Sequence, residues 1–344
     1  MRWERYPRLA QSPQARAWLT IQANLGRAAN TIDAYGRALE DYLAFSLRQG
    51  VPPEQAGRDH IAAYLHDLRR RPPRPGAPVP VLGTGTGLAN ATLQQRLTAI
   101  RLYYDYLMEE GLRAENPVGR GRYTPGTAFG GTTRGLLPRF HTLPWIPDDA
   151  AWLALLEAAR AEPARNRVMF ALAYDAGLRR EELCALETGD LDPAARLLRV
   201  RAAVTKGHRE RIVPYSAPTG ALYAAYLAER RHLSQARGPL FLSASRRNRA
   251  QPITIWTWSK VVAALARRAG VPQFTTHTFR HLCLTDLARA GWALHEIALF
   301  AGHRHPQTTL QYIHLSGCDL AAKLERGMAE IHTWRTTLTA ERLA

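Results

Sequence analysis

The sequence is poor in cysteine, and its three cysteines are far apart. Cys184, Cys283 and Cys318 are odd in number, which excludes a fully paired disulfide framework. Disulfide frameworks belong to oxidising compartments, so this usage favours a reduced location. No apolar run approaches the roughly 18–20 residues of a membrane helix, and the first residues lack the apolar centre of a secretory signal. We therefore expect a cytoplasmic protein without a membrane partner.

Lysine and acidic residues are also scarce beside arginine. Lys206, Lys260 and Lys323 are the only lysines among 46 basic residues, against 29 acidic ones. The net charge of +17 and the pI near 10.5 predict a polyanionic partner, because general solubility does not require so large an excess. Both parts are basic, with +8 on residues 1–144 and +9 on 145–344. This distribution predicts two basic domains that grip a nucleic acid, with localisation at the nucleoid.

The composition along the chain predicts two domains. Residues 1–115 have helical spacing of apolar side chains and form a predicted N-terminal DNA-binding domain. Its helices are expected to begin at Asn30 or Thr31, after Asp59, and at the stretch ATLQQRLTAIRLYYDYLMEEG. Residues 116–147 are rich in Gly, Pro, Thr and Arg, which is typical of a basic linker. Residues 148–318 form a predicted second domain, and 319–344 a tail helix that docks on a neighbouring protomer or on its own domain. The fold class is mainly α, with a small antiparallel sheet expected over 196–216.

Short segments of the second domain carry side chains suited to phosphoryl transfer. They are Arg179 in AGLRREEL, Lys206 in VTKGHRER, His277 and Arg280 in HTFRH, and His303 and Tyr312 in GHRHPQTTLQY. His277 and Arg280 are three residues apart, which places them on one helix face. Lys206 lies on a predicted tight turn.

Each residue type answers a need of phosphodiester cleavage. Two guanidiniums can neutralise the charge that develops on the non-bridging oxygens, and they stay ionised. A tyrosine can attack and store the bond energy as a phosphotyrosine, with an imidazole as base because the free phenol has a pKa of about 10. The departing oxygen needs a proton, and the ammonium of Lys206 is a better donor than an arginine.

The ordered set resembles the tyrosine recombinase (phage integrase) family, and more narrowly its Xer-like members. AGLRREEL is similar to that family's T-G-L-R-x-S-E-L, and GHRHPQTTLQYIH to L-G-H-x-x-x-x-T-T-x-x-Y-x-H. In the first domain, TIDAYGRALEDYLAF and TLQQRLTAIRLYYDYL are similar to the Xer-like core-binding region. The resemblance implies a helical, SAM-like core-binding domain and a catalytic domain with the DNA breaking-rejoining fold. Arg180 and Glu181 depart from the family pattern.

The resemblance also implies a role for each matching residue. Arg179 and Arg280 clamp the scissile phosphate, Lys206 is the general acid, His277 takes the proton of Tyr312, His303 donates to the phosphate, and Glu182 supports the first arginine. The product is a 3′-phosphotyrosine, and strand exchange proceeds through a Holliday junction without metal or other cofactor. The implied assembly is a homotetramer on two double-stranded DNA sites with inverted repeats.

Other interpretations stay open at this point. His277, His281 and Cys283 could form a metal site, since 277 and 281 are four residues apart on a helix. The whole chain could be a type IB topoisomerase-like nicking-closing enzyme, or a catalytically inactive DNA-binding accessory protein. His305 and His314 are expected to be non-catalytic. Further DNA contacts are predicted at Arg96, Arg101, Arg134 and Arg139.

Overall fold

The structure is a computed structural model with two compact units, Met1–His141 and Thr142–Ala344. It describes residues 1–71, 88–118, 136–137, 143–205, 207–305, 307–315, 331–335, 337–338 and 341–342, with the backbone alone at 313–315. The described residues are mainly helical with one small antiparallel sheet, which confirms the predicted fold class. Among them, no helix combines the length and the apolar character that crossing a bilayer requires.

The described part of the first unit is built from helices. They are α1 (Pro7–Gln11), α2 (Pro13–Asn24), α3 (Ala29–Gln49), α4 (Arg58–Arg70) and α5 (Asn90–Glu109). The sequence patterns predicted α3, α4 and α5, whereas α1 and α2 were not anticipated. Local signals for α2 are present, because Ser12 caps it by accepting from the backbone N–H of Ala15, and Pro13 occupies its first turn.

Tyrosines fill much of the core of the first unit. Tyr42, Tyr64 and Tyr104 are completely buried, and the hydroxyls of Tyr42 and Tyr104 lie 2.6 Å apart. A buried hydroxyl is costly without a partner, so this pairing lets large rings from α3 and α5 fill the same core. The carboxylate of Glu40 on α3 accepts from the backbone N–H of Leu9 at 2.8 Å, which fastens α1 to α3.

In the second unit, helices and a three-stranded sheet surround a core that is larger than that of the first unit. Its helices are α6 (Asp149–Arg160), α7 (Ala164–Asp175), α8 (Arg180–Cys184), α9 (Ala217–Arg230), α10 (Ile255–Arg268), α11 (Thr278–Arg289), α12 (Leu294–Ala301) and α13 (Gln307–Leu315). Its strands are β1 (Leu191–Asp192), β2 (Leu197–Val200) and β3 (Arg211–Pro214), in the order β1-β2-β3. Leu198 faces Val213 across the β2–β3 pair, and both are fully buried.

Helix α11 is anchored in this core by aromatic contacts. The ring of Phe279 lies edge-on to Phe170 and Phe274, with centroids 4.7 and 4.8 Å away. These are favourable aromatic geometries, and Phe279 is fully buried. Because Phe279 fixes the rotation of α11, the face that carries His277, Arg280 and His281 has one orientation.

The sequence predicts a helix over 217–236, but α9 ends earlier, at Arg230. The side chain of Arg230 turns inward, with the residue only 6% exposed, and donates to the carbonyls of Leu240, Ser234 and Pro239. Those carbonyls belong to the connection that follows the helix. Arg230 therefore holds that connection against α9 where further helical turns were expected.

Candidate active site

A buried carboxylate joins two arginines at the start of α8. Glu182 is 1% exposed and accepts from the backbone N–H of Arg179 at 3.0 Å and from its Nη1 at 2.8 Å. On its other side, Arg211 of β3 donates to both carboxylate oxygens, at 3.2 and 2.7 Å. Burial alone raises the pKa of this carboxyl, but Arg211 and Arg179 outweigh it and lower the pKa to about 2. Glu182 is thus ionised and fixes both guanidiniums.

Arg280 is held by the carboxyl ends of two helices. Its Nη1 donates to the carbonyl of Gly177 at 2.7 Å, just beyond α7, and its Nη2 donates to the carbonyl of Ala301 at the end of α12. Helix C-termini carry partial negative charge, so they suit a cation. Burial, with the charge of Arg179, lowers the pKa of Arg280 to about 10. The guanidinium remains charged at neutral pH and is preorganised for an anion.

His303 lies next to Arg280, and its tautomer follows from its partners. Nη2 of Arg280 lies 2.9 Å from His303 Nε2, and arginine can only donate. Nε2 is therefore the acceptor, and Nδ1 carries the proton that it donates to the hydroxyl of Thr309 at 2.9 Å. Burial and the charges of Arg280 and Arg179 lower the pKa of His303 to about 3, so the ring is neutral.

Tyr312 of α13 is buried against α11. Tyr312 is 2% exposed, and its hydroxyl lies 3.2 Å from Nδ1 of His281. The rings of Tyr312 and His303 are stacked, with centroids 6.0 Å apart. Burial raises the pKa of the Tyr312 phenol, while Arg280 and a hydrogen bond to Gln311 act in the opposite direction. The phenol is therefore protonated at neutral pH, and its attack on an electrophile requires a base.

His277 lies one turn before His281, with ring centroids 6.5 Å apart. Burial lowers the pKa of His277, the nearby Glu181 opposes this, and Arg180 reinforces it. Arg180 in turn pairs with Glu181 at 2.7 Å. His277 is thus close to the charges that surround the start of α8.

Three predicted site residues, Lys206, Arg134 and Arg139, lie outside the described residues. The flanks of the Lys206 turn are described: the hydroxyl of Thr205 donates to the carbonyl of Ala202 at 3.1 Å and accepts from the backbone N–H of Arg209 at 3.0 Å. The predictions for these three residues stay predictions, as does the non-catalytic prediction for His314, whose side chain is not described. His305 is exposed.

The two predicted DNA contacts on α5 have different surroundings. Arg96 forms an ion pair with Asp41 and donates to the hydroxyl of Tyr64 at 3.3 Å, with its side chain 14% exposed. Asp41, which also pairs with Arg71, therefore offsets part of the charge of Arg96. Arg101 is half-buried, and its backbone carbonyl accepts from Asn116 at 3.0 Å. DNA binding by either side chain stays a prediction.

The described His, Cys, Asp and Glu side chains form no group of three or more placed to hold a metal ion. Of the three residues in the metal-site interpretation, Cys283 is buried beneath Gly177, whereas His281 is hydrogen-bonded to Tyr312. Nothing in this arrangement of described residues favours the metal-site interpretation.

Gly302 allows the turn that brings His303 to Arg280. It adopts φ +62°, and a Cβ there would lie 3.2 Å from both Cδ and Nη1 of Arg211. We expect Gly302→Ala to lower the free energy of unfolding by about 1–2 kcal/mol for the left-handed backbone, and further for the contact with Arg211. Gly270→Ala is the control, because Gly270 has φ +72° and nothing within 4 Å. Equal losses in urea titrations of the two variants would contradict the contact with Arg211.

Sequence patterns missed three residues of this cluster. Arg211 was missed because it is one of many arginines in the sequence. Only its position on the folded strand β3, next to Glu182, distinguishes it from the others. His281 was weighed as a metal ligand alone. Thr309 was present in the TT pair of the quoted motif, which is a signal that could have identified it.

A tyrosine hydroxyl near fixed guanidiniums and neutral imidazoles is suited to the class of enzyme that transfers phosphoryl groups through a tyrosine. Comparisons with known proteins agree. The sequence profile described as "Phage integrase family" matches residues 148–317, and the one described as "Phage integrase, N-terminal SAM-like domain" matches 17–111. The chain belongs to the tyrosine recombinase (phage integrase) family, whose members cleave and rejoin DNA.

Sequence relatives place the chain among Xer-like members, and solved structures share its fold. Tyrosine recombinase XerD of Caulobacter vibrioides is 30% identical over 86% of this chain and 88% of its own length, and XerC of Herpetosiphon aurantiacus is 27% identical over 92% and 94%. The Tn1549 transposon integrase in complex with transposon right-end DNA has a TM-score of 0.65 at 16% identity, covering 86% of this chain and 92% of that one. XerH recombinase bound to palindromic difH substrate has a TM-score of 0.65 at 18% identity, covering 86% and 80%. These structures share the fold.

Proposed function

We propose that the chain is a site-specific recombinase that cuts and rejoins duplex DNA through a 3′-phosphotyrosine link. The observation that carries this proposal is the convergence of Tyr312, Arg280, His303 and the Arg179–Glu182–Arg211 cluster in one part of the second unit. The net charge of +17 and the DNA-acting relatives support duplex DNA as the substrate.

The proposed reaction is a transesterification. The hydroxyl oxygen of Tyr312 bonds to the scissile phosphorus while its proton passes to His277. The bond from phosphorus to the 5′ oxygen breaks, and that oxygen takes a proton from Lys206. Arg179 and Arg280 stabilise the charge on the non-bridging oxygens, and His303 donates a hydrogen bond to one of them in the neutral tautomer that carries the ring proton on Nε2. The 5′ hydroxyl of a second strand then attacks the phosphotyrosine and releases the enzyme. One phosphodiester replaces another, so the proposed chemistry needs no nucleotide and no metal ion.

Covalent capture tests this function. The wild-type chain selects a duplex from a random-sequence library, and that duplex is rebuilt with a nick beside the cleavage point so that the short released strand diffuses away. We expect a protein–DNA adduct that survives denaturation and also forms in EDTA. Absence of an adduct on the bound duplex would refute the enzymatic proposal and favour a DNA-binding accessory protein.

Strand exchange separates recombination from nicking and closing. Two differently labelled copies of the selected duplex are expected to yield a four-way junction and recombinant products. Relaxation of a plasmid without exchange would instead indicate a topoisomerase-like activity. Sedimentation of the complex tests the proposed homotetramer on two sites, and footprinting tests the proposed inverted repeats.

The biological role is assigned by the position of the bound site in the genome. A site at the border of a mobile element supports integration or excision, whereas a single chromosomal site supports resolution of chromosome dimers. We include three further points in the same proposal: localisation at the nucleoid, a linker with its boundaries at 116–147, and docking of the 319–344 tail on a neighbouring protomer.

Lys206 is proposed as the general acid for the departing 5′ oxygen. We expect Lys206→Ala to slow cleavage of the ordinary nicked duplex by roughly 10²–10⁴-fold, the usual contribution of a positioned acid. A substrate with sulfur at the 5′ bridging position needs no proton on its leaving group, so the variant should cleave it at nearly the wild-type rate. Lys260→Ala is the control, since Lys260 lies outside the proposed chemistry. No rescue by sulfur would remove Lys206 from the role of acid.

A further inference from the structure

Arg211 of β3 lies behind Arg179, one of the two arginines proposed to clamp the scissile phosphate. The side chain of Arg179 is 23% exposed and that of Arg211 only 7%, with the carboxylate of Glu182 between them at 1%. Arg179 is therefore the guanidinium of this pair that a phosphate can reach from solvent. Arg211 can act on that phosphate only through Glu182, and the family resemblance assigns it no role.

Each oxygen of Glu182 accepts one hydrogen bond from each arginine. Oε1 accepts from Nη1 of Arg179 at 2.8 Å and from Nη1 of Arg211 at 3.2 Å. Oε2 accepts from the backbone N–H of Arg179 at 3.0 Å and from Nη2 of Arg211 at 2.7 Å. The last torsion of a glutamate side chain has broad minima, so a carboxylate bonded to Arg179 alone can still turn. The paired bonds from Arg211 fix its plane and, through it, the guanidinium of Arg179.

The sheet gives Arg211 a rigid attachment that α8 lacks. Helix α8 has only five residues, whereas Arg211 pairs with Val200 across β2 and β3. Val200 and the neighbouring Val213 are fully buried, so these strands are fixed by the core. A functional side chain supported by a packed strand is held more precisely than one supported by a short connection. Arg211 thus ties Glu182 to the sheet.

The same side chain lies against the turn that precedes His303. A Cβ at Gly302 would lie 3.2 Å from Cδ and Nη1 of Arg211, so the stem of Arg211 packs on this glycine. Burial lowers the pKa of His303, and the charge of Arg211 acts in the same direction as those of Arg280 and Arg179. Arg211 therefore borders two parts of the site, the arginine at the start of α8 and the histidine that follows α12.

We infer that Arg211 is a positioning residue for cleavage, which holds Glu182 so that Arg179 meets the non-bridging oxygens of the scissile phosphate. The inference rests on the proposed function. Arg211 forms no bond to phosphorus and transfers no proton. Its role requires the planar fork as well as the charge, because a lysine ammonium is a point charge that cannot bind both oxygens of Glu182 in one plane.

The test compares single-turnover cleavage of the nicked, library-selected duplex by the wild type and by Arg211→Lys, with protein in saturating excess. A misplacement of about 1 Å can slow a reaction about 10²-fold, so we expect a deficit of that size with little change in DNA affinity. Arg199→Lys is the matched control, because Arg199 is an exposed arginine of the adjacent strand β2 that pairs with Asp190 at 3.7 Å. It should cleave like the wild type.

A neutral analogue of the scissile phosphate separates positioning of Arg179 from general damage to the fold. A methylphosphonate has a methyl group in place of one non-bridging oxygen, so it lacks the charge that Arg179 stabilises. Relative to the wild type on the same substrate, the deficit of Arg211→Lys should shrink to about tenfold or less, and that of Arg179→Ala should shrink with it. A deficit of Arg211→Lys that is equal on both substrates would overturn the inference, because it indicates structural damage.

The remaining outcomes separate the inference from the function beneath it. If the wild type forms no adduct, the proposed function fails and the inference fails with it. If the wild type forms the adduct and Arg211→Lys matches its rate, the function stands and the role of Arg211 is wrong. Circular dichroism and urea titration accompany each rate, and Arg211→Gln undergoes the same tests should Arg211→Lys not fold. If neither variant folds, Arg211 is a structural brace and the inference is wrong.

Discussion

A chain carrying Tyr312→Phe is expected to bind its duplex with wild-type affinity and to form no covalent adduct. The substitution removes one oxygen, and the ring that remains still fills the buried space between α11 and α13 and stacks on His303. The hydroxyl is the atom that bonds to phosphorus, so its loss should reduce cleavage to background. Band-shift titration measures the binding, and denaturing electrophoresis of the nicked duplex measures the adduct.

Tyr223→Phe is the matched control for this loss. Tyr223 is a buried tyrosine of α9, 3% exposed, and belongs to the same core. It should form the adduct as the wild type does. An adduct that persists in Tyr312→Phe would show that another side chain is the nucleophile.

Glu182→Gln is expected to produce the largest loss of stability among these variants. The carboxylate is 1% exposed and neutralises Arg179 and Arg211, whose side chains are 23% and 7% exposed. Glutamine has a similar shape and no charge, so it leaves the buried guanidinium of Arg211 and the half-buried one of Arg179 without their counter-ion. Breaking such an arrangement costs about 3–5 kcal/mol of the free energy of unfolding. Denaturant titration at neutral pH measures the loss, and cleavage should fall with it because Arg179 is no longer fixed.

The same carboxylate predicts a pH dependence. Its pKa is lowered from 4.5 to about 2 in the folded chain, so it adds stability above pH 4.5 that is lost as the pH falls toward 2. The stability difference between the wild type and Glu182→Gln should therefore narrow across that interval. Glu181→Gln is the control, since Glu181 pairs with Arg180 nearer the surface and such pairs contribute about 0–1 kcal/mol. A constant difference from pH 5 to pH 2 would contradict the role assigned to Glu182.

Helical periodicity and local signals predicted most of the described fold. Apolar spacing indicated α3, α4 and α5, and the change of period around residues 196–216 indicated β2 and β3. The exceptions depend on distant contacts. Helix α1 is fastened by Glu40, which lies 31 residues beyond Leu9, and α9 stops where Arg230 binds carbonyls of the following connection. A pattern confined to neighbouring residues has no access to such partners.

The sequence by itself determined the chemistry. A basic chain with arginines, histidines and a tyrosine in this order and spacing indicates phosphoryl transfer and the tyrosine recombinase family, because those side-chain types are what the reaction needs. Only the tertiary structure decided which group meets which. His277 and His281 lie on one face of α11, so their spacing alone cannot tell which of them touches the tyrosine of α13, and the packing of the two helices selects His281. Arg211 likewise joins Glu182 from β3, 29 residues away, because the sheet folds against α8.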